Sequence, residues 1–185
     1  MKKILETERL YLREITDGDF DALARVLKDD KTMYAYEGAF DDERVNYWIV
    51  RQAERYAENG FGLWLTVLKS TGESIGMCGL TMQPWRGGEV LEIGYLFERA
   101  HWHKGYATEA ARVCRDYAFD VLGADEVCSI IRDTNFASQA VAARNGMTRV
   151  DADIKHYRGV DMPHRRYVIT KAERDALRAG QGERK

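Results

Sequence analysis

The residues with the most chemical promise fall in one short run, His103, Lys104, Gly105, Tyr106, Ala107 and Thr108. A glycine between a strand and a helix lets successive backbone N–H groups converge at the helix's positive end, which is how phosphates are commonly bound. Lys104 adds a cation, Gly105 permits close approach, Ala107 keeps the first turn small, and Thr108 offers a hydroxyl beside the same amides. The same residues also suit an ordinary helix start, and the run alone leaves both readings open. Neither GxxxxGK[ST] nor GxGxxG after a strand occurs, so ATP and NAD lack their usual sequence support. His156 and His164 have no metal-ligand spacing, and no metal is expected. Cys78, Cys114 and Cys128 form no CxxC pair and sit among apolar neighbours, so they are expected as buried core thiols, with a catalytic thiol as the alternative.

Periodicity supplies the elements that must position this run. The segment 9–13 alternates as a strand, and Thr16 with Asp19 forms a capping box that opens an amphipathic helix to about Leu27. After a polar and aromatic stretch, Val45, Trp48, Ile49, Gln52, Ala53 and Tyr56 recur at helical spacing between Asp41 and a stop at Gly60. Residues 61–69, 73–82 and 89–97 are β-rich runs in succession, an antiparallel meander. Ala107, Ala111, Cys114, Ala118 and Val121 then mark one face of a long helix ending at Gly123. A strand over 126–132, a short helix over 138–145 stopped by Gly146, and strands over 148–157 and 164–170 follow. A strand–helix–strand crossover needs its strands parallel. The expected fold is α+β, with a mixed sheet of about seven strands and about four helices.

Composition bounds the rest. The 185 residues carry 28 Lys and Arg against 30 Asp and Glu, a formal charge of −2, and 45% are hydrophobic. That balance excludes a general polyanion binder, so no direct nucleic-acid contact is expected, and it supplies enough apolar surface for one core. No apolar run approaches the roughly 18 to 20 residues that cross a bilayer, and the start turns charged before a signal-peptide core could form. The chain is expected to be cytoplasmic, with no membrane partner, as a single domain over 1–178 with a frayed tail at 179–185.

In order, ETERLYLREIT, GESIGMCGL, LEIGYLF, WHKGYATEA, NFASQAVAARNGM and HYRGVDMPHRRYVIT resemble the GNAT superfamily of N-acetyltransferases. Within it they are most similar to the RimJ/RimL-like branch, which acetylates protein N-terminal amines. The diphosphate signature [Q/R]xxGx[G/A] reads Trp102 to Ala107 here, with Trp in the first place. The resemblance implies a GNAT-like, mainly antiparallel sheet with acetyl-CoA in a cleft between splayed strands 89–97 and 126–132. It implies that the pantetheine arm pairs with backbone at Tyr95, Leu96 and Phe97, and that the amides of 103–108 hold the pyrophosphate. Asn135 and Ser138 match the family's Asn-x-x-Ser beside the pantetheine and sulfur end; a turn and helix cap is the alternative.

Acetyl transfer to an amine needs the amine neutral, a donor for the developing oxyanion and a leaving group. An α-amine of pKa roughly 7.7 to 8.0 needs only a carboxylate base near neutrality. Glu92 stands where several family members carry that base, with an exposed strand-end charge as its alternative. Val141 and Ala142 occupy the place of the family's tyrosine acid, so Ser138, or water held by it, is assigned to protonate the sulfur. A thiol of pKa about 8.5 also leaves readily as thiolate. The resemblance puts acceptor recognition near Tyr34, Tyr36, Glu37, Trp85, Arg86, His156 and Tyr157, with His164 beside them, against a reading of rim and core packing. The expectation is an acetyl-CoA-dependent N-acetyltransferase working by direct attack of a protein or peptide N-terminal amine, as monomer or homodimer. A small-molecule amine acceptor, polyamine or antibiotic, and a non-catalytic CoA-binding module are its alternatives.

Overall fold

A computed structural model describes residues 2–182. Among them are eight strands, β1 (Lys3–Glu6), β2 (Leu10–Arg13), β3 (Leu63–Leu68), β4 (Ser74–Trp85), β5 (Gly88–Phe97), β6 (Glu126–Arg132), β7 (Thr148–Tyr157) and β8 (Val160–Thr170). Five α-helices accompany them, α1 (Phe20–Leu27), α2 (Asp42–Asn59), α3 (Tyr106–Asp120), α4 (Phe136–Arg144) and α5 (Lys171–Gly182). Hydrogen bonding orders the strands β1-β2-β3-β4-β5-β6-β8-β7. β5 and β6 pair parallel, as the crossover through α3 requires. The pairs β1/β2, β2/β3, β3/β4, β6/β8 and β7/β8 are antiparallel. The mixed α+β architecture expected from periodicity is the one observed, with β1 and α5 in addition. The chain falls into two units, Met1–Thr81 with Gly94–Cys114, and Met82–Ile93 with Arg115–Lys185. β4, β5 and α3 each run through both.

In the first unit, α1 presents Leu23, Val26 and Leu27, and α2 presents Val45 and Ile49, to Leu63, Leu65 and Val67 of β3 and Met77 of β4. These i, i+3, i+4 spacings are what bury one helical face. Every residue of β3 is buried, which explains its nearly continuous apolar sequence. The capping box forms at Thr16 and Asp19, opening a 3-10 turn that leads into α1. Asp41 caps α2 by accepting from the Arg44 N–H at 2.9 Å, and Gly60 closes it at φ +76°.

In the second unit, β6 and β8 share a ladder from Glu126↔Thr170 to Arg132↔His164. β7 and β8 form a hairpin closed by Arg158 and Gly159, both at positive φ, as a two-residue turn of this hand needs. α5 is anchored by the buried Arg174, whose Nη2 lies 2.8 Å from Asp120 and whose guanidinium sits 5.0 Å over the Phe119 ring.

Several boundaries differ from expectation: β4 runs on to Trp85, and β8 begins at Val160, four residues early. α3 stops at Asp120 and not at Gly123, which leaves Val121 outside the helix and 63% exposed. α4 starts at Phe136, two residues early, because Asn135 provides its cap. α5 continues through Gly182, into the stretch expected to fray, while residues 183–185 lie outside the described residues. All three cysteines are free and buried, with the Cys78 and Cys114 sulfurs 3.6 Å apart. No helix among the described residues is long and apolar enough to cross a membrane.

Candidate active site

The glycine run lies in the first unit, and its shape follows from how α3 begins. The Glu109 N–H donates to Gly105 O at 3.0 Å, the opening bond of the helix. The N–H groups of Tyr106, Ala107 and Thr108 therefore have no acceptor within α3. His103 at φ +60° and Gly105 at φ +83° are both left-handed, a conformation natural for glycine and costly for histidine. Trp102 Nε1 donates to Phe97 O at 2.8 Å and ties the start of the loop to the end of β5. Tyr95 and Leu96 are half-buried there, and Phe97 is buried. The stretch 95–97 and the loop 103–108 are thus brought together within one unit. Glu73, Glu98 and His101 come within 4.8 Å of one another nearby, but Arg25 is already paired with Glu98, so a cation is in place.

Glu92 belongs to the second unit and is half-buried, not an exposed strand-end charge. It pairs with Cys128, and its Oε1 accepts from the Ile130 N–H at 3.1 Å. Beside it, Ser129 Oγ donates to Ile93 O at 3.0 Å. Burial, reinforced by the Glu92 charge, pushes the Cys128 thiol up and keeps it protonated. Asn135 is the N-cap of α4, its Oδ1 accepting from the Ser138 N–H at 3.0 Å. The cap reading of this motif is therefore realised, and Ser138 stands half-buried in the first turn of the helix. Val141 and Ala142 are buried in α4, so packing occupies the place of the family's tyrosine.

The expected acceptor residues divide. In the first unit, Tyr34 and Tyr36 form a 3-10 turn closed by Glu37 at φ +59°. Tyr36 packs edge-on to Phe40 and Trp48, at 6.2 and 5.9 Å between ring centroids, and is half-buried against the core, whereas Tyr34 is 40% exposed. In the second unit Trp85 is buried, as the packing alternative has it. Arg86 reaches Ala152 O at 2.6 Å and lies near Asp153 at 3.9 Å. Trp85 and Arg86 join Glu89, Asp153, Ile154 and Lys155 around a recess of about 470 Å³. His156 is exposed and paired with Asp161 across the hairpin, three residues and one from Gly159 and the half-buried Tyr157. His164 is buried with Nδ1 2.8 Å from Met162 O, and burial pushes its pKa down. Sequence reasoning missed Arg9, which donates to Lys104 O at 3.0 Å; its only signal was its place in the ETERLYLREIT string.

A parallel crossover that delivers helix N–H groups without helical acceptors beside a strand end suits a phosphate-bearing group. Residues 9–148 match the Acetyltransferase (GNAT) domain family, and the chain belongs to it. It is 37% identical over 147 residues to the uncharacterized protein YkkB of Bacillus subtilis strain 168, covering 79% of this chain and 86% of that one. It is 30% identical over 154 residues to the FsC-acetyl coenzyme A-N(2)-transacetylase of Aspergillus fumigatus, covering 76% of this chain and 64% of that protein. In fold it resembles RimL, a ribosomal L7/L12 alpha-N-protein acetyltransferase solved with coenzyme A. That likeness has a TM-score of 0.75 at 16% identity, over 91% of this chain and 98% of the other. The protein is an acyltransferase that uses acetyl-CoA, and enzymes of this family act on amine-bearing acceptors. The loop fits the cofactor's diphosphate: three helix N–H groups lack a helical acceptor, and a Cβ at Gly105 would meet Arg9 Nη2 at 3.3 Å.

Proposed function

We propose that the chain is a RimJ/RimL-like N-acetyltransferase whose acceptor is the α-amine of a protein or peptide, acetylated by direct attack. Acetyl-CoA supplies the acetyl group on a thioester. The observation that carries the reading is Glu92, a half-buried carboxylate whose Oε1 accepts from the Ile130 N–H at 3.1 Å, which fixes a base of the required type on β5. A carboxylate base has less to do for an α-amine, of which about a tenth is neutral at pH 7, than for a lysine amine, neutral in about one molecule in 2,500. The amides of 103–108 bind the diphosphate, backbone at Tyr95, Leu96 and Phe97 aligns the pantetheine, and Asn135 orients the first turn of α4 around Ser138. Ser138, directly or through water, returns the proton to the departing sulfur.

The name of the Aspergillus relative, an N(2)-transacetylase, supports a second reading in which the acceptor is a small-molecule amine. A panel of free peptides, polyamines and aminoglycosides, read by mass spectrometry after incubation with acetyl-CoA, separates the two. Acetylation at peptide N-termini supports the first, and acetylation confined to small amines replaces it with the second. On whichever acceptor is found, Glu92→Gln should lower kcat and move its pH optimum upward. An unchanged pH-rate profile removes Glu92 as the base.

A further inference from the structure

Arg9 leaves the turn between β1 and β2 and contacts the glycine run. Its Nη1 donates to Lys104 O at 3.0 Å, its guanidinium lies 4.6 Å from the Tyr106 ring centroid, and its Nε and Nη2 meet Glu109 Oε2 at 2.7 and 2.6 Å. Its backbone N–H donates to the other Glu109 oxygen at 2.9 Å, which also accepts from Thr7 Oγ1 at 2.5 Å. Glu109 is thereby satisfied on both oxygens, and although burial opposes its charge, these bonds hold its carboxyl below the usual range. The guanidinium is held on one side by a single carboxylate oxygen that accepts from both Nε and Nη2, and on another by an aromatic face.

One bond in this set has a directional effect. The peptide joining Lys104 to Gly105 is planar, so its C=O and N–H point in opposite directions. Drawing the Lys104 carbonyl toward Arg9 turns the Gly105 N–H away from Arg9. That N–H stands immediately before those of Tyr106, Ala107 and Thr108, which lack acceptors in α3. The left-handed φ of His103, a non-glycine residue, shows that this loop is not in its cheapest conformation and needs to be held.

We propose that Arg9 is a positioning residue for cofactor binding, a clamp that fixes the peptide plane between Lys104 and Gly105 so that the loop amides face a diphosphate. The proposal rests on residues 103–108 being the diphosphate site. Arg9 acts through the loop backbone, with Glu109 and Tyr106 holding the guanidinium in place.

The test is calorimetric titration of the purified chain with CoA and with pantetheine, which lacks the diphosphate. Arg9→Ala should raise the Kd for CoA by about tenfold or more, the scale of one charge-assisted hydrogen bond, and leave that for pantetheine unchanged. Arg9→Lys should recover part of the loss, because an ammonium can reach one partner but cannot span Glu109 and the Lys104 carbonyl as the guanidinium does. Glu109→Gln, which releases the guanidinium without removing it, should show the same CoA-selective loss and carries the test if Arg9→Ala does not fold. A CoA Kd within twofold of wild type in a folded Arg9→Ala protein, or equal weakening of both ligands, overturns the clamp. Gly105→Ala separates this failure from that of the underlying reading. If that variant binds CoA as wild type does, the loop is not the diphosphate site and the clamp falls with it. If it loses CoA while Arg9→Ala does not, only the clamp is wrong.

Discussion

Gly76 gives the most quantitative prediction. It lies on β4 opposite Thr66 of β3, at φ +155°, and faces the end of β5. A Cβ built there would stand 2.4 Å from Leu96 O, 2.7 Å from Phe97 Cα and 2.9 Å from Phe97 Cδ1. Two of these three atoms are backbone, so a rotamer change cannot relieve the contact. Reaching even the 3.0 Å limit of real Cβ contacts requires Leu96 O to move by about 0.6 Å, in an interior that is close-packed. Overpacking and a glycine-only backbone each cost about 1 to 3 kcal/mol, and we expect about 3 kcal/mol together for Gly76→Ala. In a chain of this size that lowers Tm by about 6 to 12 °C. Gly72→Ala is the control, since Gly72 has φ +73° but nothing within 4 Å of its Cβ position. It should cost only the left-handed strain, about 1 kcal/mol. The displacement in Gly76→Ala falls on residues 96 and 97, so its KM for acetyl-CoA should rise while that of Gly72→Ala does not. Scanning calorimetry and initial rates measure both. A Gly76→Ala protein that melts no lower than Gly72→Ala would refute the reasoning.

Three further outcomes are expected. Ser138→Ala should reduce turnover more than acetyl-CoA affinity; equal effects in steady-state kinetics and titration would leave Ser138 only a binding role. Asp19 accepts from Arg13 at 2.8 and 2.6 Å and from Thr16 N and Oγ1 at 2.8 and 2.9 Å, and both Arg13 and Asp19 are buried. Asp19→Ala strands the guanidinium and should cost about 3 to 5 kcal/mol in urea unfolding, with a loss under about 1 kcal/mol counting against a buried pair. Burial depresses the pKa of His164, so the unfolded chain takes up its proton first as pH falls below the ordinary value of 6.5. The stability contribution of a neutral His164 is complete above that value and is lost from there down to the folded pKa. His164→Gln should flatten this part of the acid dependence in urea midpoints, and an unaltered curve would show that His164 is not its source.

How much of this was legible in sequence depended on whether a residue's role is set by its neighbours in the chain. Asp41, Gly60 and the capping box at Thr16 and Asp19 act within one turn, and each stands where its spacing put it. β1 was missed because four residues with only a half-buried face carry too little alternation to register. α5 was missed for a different reason: its polar sequence is held by Arg174, whose partners Asp116 and Asp120 lie more than fifty positions earlier. Tyr36 and Trp85 were expected to recognise the acceptor because aromatics with nearby charge suit an amine. Tyr36 instead packs half-buried against Phe40 and Trp48, and Trp85 is buried, which no local pattern reveals. The glycine run was legible as a motif, whereas Arg9, almost a hundred residues away, was not.

The carboxylate of Glu92 is held by a main-chain group, and that has a consequence for how this enzyme tolerates mutation. The amide at position 130 is the same whichever side chain position 130 carries, so a side-chain scan of β6 leaves the tether intact. Only proline, which has no N–H, or an amide-to-ester replacement at that bond would cut it. The orientation of the glutamate is therefore insulated from drift in the strand beside it, and sequence variation along β6 remains available for packing.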